Sequence, residues 1–307
     1  MLWALVTLAT AAPQISAPAL PLGAPLTNSG NYFREPLPQV TPSIAPGNLA
    51  GSYYVVWVDL REREGAAVWG AALTGSGPSI DVSANRLGTE LSLPQPGVFT
   101  SPVVATYSGA APSQRGHLVV WENPLNGTIF GRRVAFGGAP IDAAPFSLMV
   151  GGRAPSLACL GDRCFVAWLD ANGVSGRSLT AQTDGGFLAD VFQFQNQAVR
   201  WVALTASREL EGFAAAVMTA GPGDAGVVSV VYLTDGGPST VMAGTGADLG
   251  IPPVVAHGDA GTAVAWVGAM PGNVVPTVMV AFVEPTGVRS SQAPIAGSER
   301  ALAAALT

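Results

Sequence analysis

A short apolar strand ending in tryptophan recurs along this chain, and its spacing limits the fold more than any other feature. It reads Tyr53-Tyr54-Val55-Val56-Trp57, His117-Leu118-Val119-Val120-Trp121, Phe165-Val166-Ala167-Trp168 and Thr262-Ala263-Val264-Ala265-Trp266. A fifth copy, Phe213-Ala214-Ala215-Ala216-Val217-Met218, carries methionine at its end. The anchors Trp57, Trp121, Trp168, Met218 and Trp266 are separated by 64, 47, 50 and 48 residues. A repeat of roughly 40–50 residues holding several strands points to the blades of a β-propeller. The 38 glycines and 25 prolines agree with short strands and turns, because both residues weaken helix interiors.

Flanking segments repeat in phase with the anchors. Pro-led strands precede three of them: Ser101-Pro102-Val103-Val104-Ala105, Ala154-Pro155-Ser156-Leu157-Ala158 and Pro252-Pro253-Val254-Val255-Ala256. Proline suits a strand's first residue, where no ladder donor is lost. A further strand follows each anchor, as in Ile129 to Val134 or Val227 to Leu233, and closes on Gly137-Gly138 or Asp235-Gly236-Gly237. The expected fold is therefore all-β: a propeller of about five to six blades, each of about four antiparallel strands. The anchor strands lack polar alternation, as expected where both faces are covered. Their tryptophans are expected in the core, wedged between blades. Ser108 to Gly116 lengthens one hairpin, and the terminal Ala301 to Thr307 echoes an anchor strand, as if a sixth blade began there.

Three regions are expected. Residues 1–12 read as a signal peptide, with an apolar Leu2 to Leu8 followed by small residues. The apolar run is too short to span a membrane. Residues 13–45 form a Pro/Ala-rich leader, and 46–307 the propeller. The chain is then exported, whether periplasmic, cell-surface or extracellular.

The pattern from about residue 46 to 290 resembles the uncharacterised β-propeller-like repeats of large secreted bacterial proteins. There a Pro-led strand, a short turn and a Val-Val-Trp or Val-Ala-Trp strand recur. The resemblance implies architecture and says almost nothing of activity.

Few residues offer chemistry. Cys159 and Cys164 flank Gly161-Asp162, a plausible hairpin turn, so they face each other and are expected to form a disulfide. The spacing is not the Cys-x-x-Cys of redox motifs. His117 and His257 hold similar places on distant blades, too few for a zinc site. Gly221-Pro222-Gly223-Asp224-Ala225-Gly226 matches a dinucleotide fingerprint, but a strand follows it where a helix is needed. Asp59, Glu122 and Asp170 follow anchors and read as solvated turn residues. No catalytic, metal or cofactor site is expected. All 14 basic residues are arginine and the net charge is -6, which gives no footprint for nucleic acid. The expected role is a non-catalytic binding or scaffold module for a protein or glycan. The alternative is a glycan-active hydrolase or lyase using carboxylates at the propeller channel.

Overall fold

The computed structural model describes residues 40–59, 67–76, 79–81, 89–92, 102–123, 125–181, 187–195, 199–235, 237–258, 261–269 and 276–295. Residues 1–12, expected as a signal peptide, residues 13–39 of the expected leader, and Ala301 to Thr307 lie outside them.

The described chain is all-β and propeller-like, a series of antiparallel meanders in sequence order. Sheet one runs β1 (Val40–Pro46), β2 (Ser52–Asp59), β3 (Ala67–Ser76) and β4 (Ser79–Asp81), with β5 (Thr89–Glu90) also on β3. Sheet two is β6 (Val103–Ser108), β7 (Arg115–Asn123), β8 (Thr128–Val134) and β9 (Phe146–Met149). Sheet three is β10 (Arg153–Leu160), β11 (Arg163–Asp170), β12 (Gly173–Ala181) and β13 (Phe187–Gln195). Sheet four is β14 (Val199–Ser207), β15 (Gly212–Ala220), β16 (Gly226–Thr234) and β17 (Gly237–Ala247). Sheet five is β18 (Val254–Gly258), β19 (Gly261–Gly268), β20 (Thr277–Glu284) and β21 (Gly287–Pro294). One pair, Ala247 with Gly268, joins the last two sheets.

First strands pack on first strands: β1 on β6, β6 on β10, β10 on β14, β14 on β18. Serine side chains reinforce two of these junctions. Ser43 Oγ accepts the Val104 N–H at 3.3 Å, and Ser156 Oγ accepts the Leu204 N–H at 2.9 Å. Among the described residues β18 and β1 share no comparable contact, so the series is not closed there.

The second strand of each sheet is the apolar run of the sequence, and both its faces are covered. In sheet three, Cys164, Val166 and Trp168 face sheet two, while Phe165, Ala167 and Leu169 face sheet four. Trp121 and Trp266 likewise pack against the preceding sheet. Trp57 shares its cluster with Val55, Ala71 and Leu73, on the face of sheet one turned from sheet two. All four anchors are buried. At ~25 cal/mol per Å², a ring burying up to ~250 Å² contributes an upper bound of ~6 kcal/mol.

Met218 does not belong to this set. It packs with Trp266 and Met279 on the side of sheet five, whereas Val217 packs toward sheet three. Neighbouring strand residues point to opposite faces, so the tryptophan-equivalent of sheet four is Val217. Trp201 pairs directly with Met218 and packs toward sheet five, so the fourth repeat's tryptophan stands on its other face.

The leader also ends earlier than the sequence suggests, because β1 takes Val40 to Ala45 from it. Thr41-Pro42-Ser43-Ile44-Ala45 is a further Pro-led strand.

Glycine on the third strand makes room for rings. Gly70, Gly131 and Gly176 each pair with the residue before the anchor. A Cβ at Gly176 would stand 2.4 Å from the Phe165 ring, and one at Gly70 would stand 2.3 Å from the Tyr54 hydroxyl. No larger residue fits without moving those aromatics.

Candidate functional site

One ladder position carries most of the chemistry. It lies at the hairpin between first and second strands, on the face that carries the tryptophans. Through the five sheets it holds Pro46 with Tyr53, Thr106 with His117, Cys159 with Cys164, Ala206 with Phe213, and His257 with Thr262. The two histidines thus occupy equivalent pairs, one on the second strand and one on the first.

Sheet three closes the position covalently. Cys159 and Cys164 form a disulfide with Cα atoms 4.0 Å apart. Gly161 makes the turn between them at φ 60°, a conformation glycine adopts without Cβ strain.

Sheet two closes it through His117, which is buried. Its Nδ1 lies 3.1 Å from Thr106 Oγ1, and that hydroxyl donates to the Pro46 carbonyl of sheet one. The imidazole stacks on Tyr54 at 4.8 Å and meets Phe136 edge-on at 5.1 Å. Its Nε2 and the Tyr54 hydroxyl are buried without hydrogen-bond partners. Burial holds the His117 pKa down to about 4, because lost hydration disfavours the charged imidazolium. Burial also raises the Tyr54 pKa, opposed by the Arg132 charge. The imidazole is thus packed between aromatic rings, out of reach of solvent.

His257 is arranged differently. Its Nδ1 lies 2.9 Å from Thr262 Oγ1, and its Nε2 stands 3.6 Å from Glu209 of sheet four. Other contacts stitch the same rim. The lengthened hairpin after β6 forms a 3-10 turn at Pro112–Gln114 and docks on sheet three. There Gln114 Nε2 donates to the Ala181 carbonyl at 2.9 Å, and Ser108 N–H to Gly161 at 2.6 Å. Arg163 donates to the Glu211 carbonyl of sheet four at 2.6 Å.

The carboxylates singled out in the sequence serve as local clamps. Glu122 is buried, and its Oε2 accepts the Ala154 N–H of sheet three at 2.8 Å. It is therefore not a solvated turn residue: its partner lies on the next sheet, where Ala154 takes a positive φ of 49°. Asp170 does cap its turn, accepting the Asn172 N–H at 2.8 Å and the Ser175 hydroxyl at 2.5 Å. The Asp142 carboxylate, absent from the sequence reading, binds Arg133 through Nε at 3.0 Å and Nη2 at 2.5 Å. Arg132 beside it donates to the Leu91 carbonyl of sheet one at 2.9 Å. An Arg-Arg dipeptide and an Asp nine residues on give no sequence signal of pairing; only the fold joins them.

Among the described residues, no three His, Cys, Asp or Glu side chains converge to hold a metal. The glycine-rich loop after β15 is a 3-10 turn, Pro222–Asp224, that leads into β16. It borders a hollow of about 490 Å³ lined by Pro222, Ala225, Val227, Thr245, Gly246 and Ala269, none of which ionises. No described helix is long and apolar enough to cross a membrane.

No family model matches the chain, and no curated protein matches its sequence. Solved structures do align with it. The lectin of Aleuria aurantia, described as a six-bladed β-propeller, is 13% identical with a TM-score of 0.46, over 83% of this chain and 78% of the lectin. The GH43 endo-arabinanase of Bacillus licheniformis is 11% identical at 0.43, over 82% of this chain and 96% of the enzyme. The GH62 α-L-arabinofuranosidase catalytic domain of Coprinopsis cinerea is 12% identical at 0.43, over 81% and 90%. At TM-scores below 0.5 these likenesses transfer no ligand, activity or residue role to this chain.

Proposed function

We propose that the chain is an exported, non-catalytic propeller of five or six blades, serving as a binding or scaffold module for a glycan or protein. The observation that carries this reading is where the polar side chains go. Two of the three carboxylates that follow the anchors are spent on structure: Glu122 ties sheet two to Ala154 of sheet three, and Asp170 caps its own turn. The histidines are likewise spent on the Thr106 and Thr262 hairpin pairs. A site that moved protons would need such groups open to substrate and matched in pKa. Binding needs only a rigid array carrying variable loops at its ends.

Export is supported by the Cys159–Cys164 disulfide, which persists in oxidising compartments. The proposed five or six blades rest on the repeat itself.

The test is a glycan array and a cell-surface protein pull-down with the purified chain, run beside reducing-sugar release from arabinan, xylan and xyloglucan. Saturable capture without sugar release supports the reading. Sugar release that Glu122→Gln or Asp170→Asn abolishes in a folded protein would replace it with the hydrolase reading.

A further inference from the structure

We propose that Asn126 is an acceptor for an N-linked glycan, and that the attached sugar covers the aliphatic pair Leu125 and Val150. The inference rests on the export reading and is independent of what the propeller binds.

Asn126-Gly127-Thr128 is the one Asn-x-Ser/Thr triplet in the sequence. It occupies the turn between β7 and β8, and Asn126 is exposed there. The Asn126 side-chain oxygen accepts the Thr128 N–H at 3.0 Å, an Asx turn that fixes the triplet's geometry. Gly127 takes φ 64° and donates its N–H to the Asn123 carbonyl at 2.8 Å, so the turn is braced from within. Among the described residues nothing accepts a hydrogen bond from Asn126 Nδ2, the atom that a glycan would occupy.

A second observation points to a covering group. The Gly151 and Gly152 N–H groups both donate to the Gly127 carbonyl at 2.9 Å, which holds the loop bearing Val150 against the turn. Leu125, next to Asn126 in the chain, is 62% exposed, and Val150, next to Gly151, is 65% exposed. Solvent-facing aliphatics on the two loops that these bonds join suit the C–H face of a pyranose.

The step balances with a lipid-linked oligosaccharide diphosphate as donor. The Asn126 amide nitrogen forms a bond to the sugar C1, the C1–O bond to diphosphate breaks, the amide gives up one proton, and the lipid diphosphate leaves.

The full chain, placed behind an efficient eukaryotic signal peptide, is expressed in insect cells, and the translocated protein is analysed by peptide mass spectrometry. The expected result is a glycan on Asn126, removed by peptide N-glycosidase, lost in Asn126→Gln and Thr128→Ala, and retained in Thr128→Ser. Hydrophobic-dye binding should rise at least twofold when the glycan is removed, and Leu125→Ser with Val150→Ser should cancel that rise. A translocated chain with Asn126 unmodified overturns the proposal; a glycan whose removal leaves dye binding unchanged overturns the covering role. The added signal separates these outcomes from native export, which the chain's own N-terminus tests in a parallel culture.

Discussion

Replacing Trp168 with alanine measures how much stability one tryptophan wedge supplies. Its ring is fully buried between sheets two and three. A Cβ at Gly152 would stand 2.9 Å from Trp168 Cδ1, so the backbone itself is shaped to the indole. The transfer bound is ~6 kcal/mol from area alone. Truncations of buried aromatics cost about 3–5 kcal/mol, because the cavity collapses in part. Against a total stability of ~5–15 kcal/mol, Trp168→Ala removes roughly a fifth or more and can unfold a marginal chain. Urea denaturation followed by far-ultraviolet circular dichroism reads the change as a lower midpoint at similar m. Trp201→Ala is the comparison. Trp201 is only half-buried, with its N–H given to the Leu249 carbonyl at 2.9 Å, so its loss should cost clearly less. A Trp168→Ala loss under ~1 kcal/mol, or one no larger than that of Trp201→Ala, would refute the wedge.

Three further outcomes follow from the same geometry. The folded state holds His117 neutral to about pH 4, against an ordinary value of 6.5. The unfolded chain therefore takes up its proton first. Stability is complete above pH 6.5, falls by roughly 3 kcal/mol as pH drops toward 4, and levels below; urea titrations should show this slope flattened in His117→Phe. Gly176→Val should cost ~1–3 kcal/mol by pushing on Phe165, while Gly137→Ala, where a Cβ meets nothing within 4 Å, should be near neutral by thermal melting. Replacing both cysteines with serine should cost ~2 kcal/mol, the loop-closure value for so short a ring, measured against the oxidised chain.

The repeat was legible because tryptophan is rare and bulky and stands at the same place in four of the five units. What failed in the fourth unit failed for a physical reason. Ala214 to Val217 is buried on both faces, so no polar alternation marks which residues point which way. A one-residue slip from Val217 to Met218 leaves no trace in composition. Strand β1 carried its proline signal at Pro42, yet the surrounding Pro- and Ala-rich stretch masked it. The Cys159–Cys164 pair was readable because a two-residue turn fixes its register. Thr106 and His117 are joined by a loop of irregular length, so their pairing appears only in the ladder. Glu122 was misread because its partner is a backbone N–H 32 residues away on another sheet.

The decisive measurement is the nuclear Overhauser pattern of the Trp121, Trp168 and Trp266 indole rings in a methyl- and tryptophan-labelled sample. The account predicts cross-peaks from Trp168 to Ile129 and Leu148 of sheet two, from Trp121 to Val56 and Val58 of sheet one, and from Trp266 to Met218 and Val228 of sheet four. Indoles that instead contact only their own sheet, or the sheet that follows, would contradict the back-to-front stacking of the repeats.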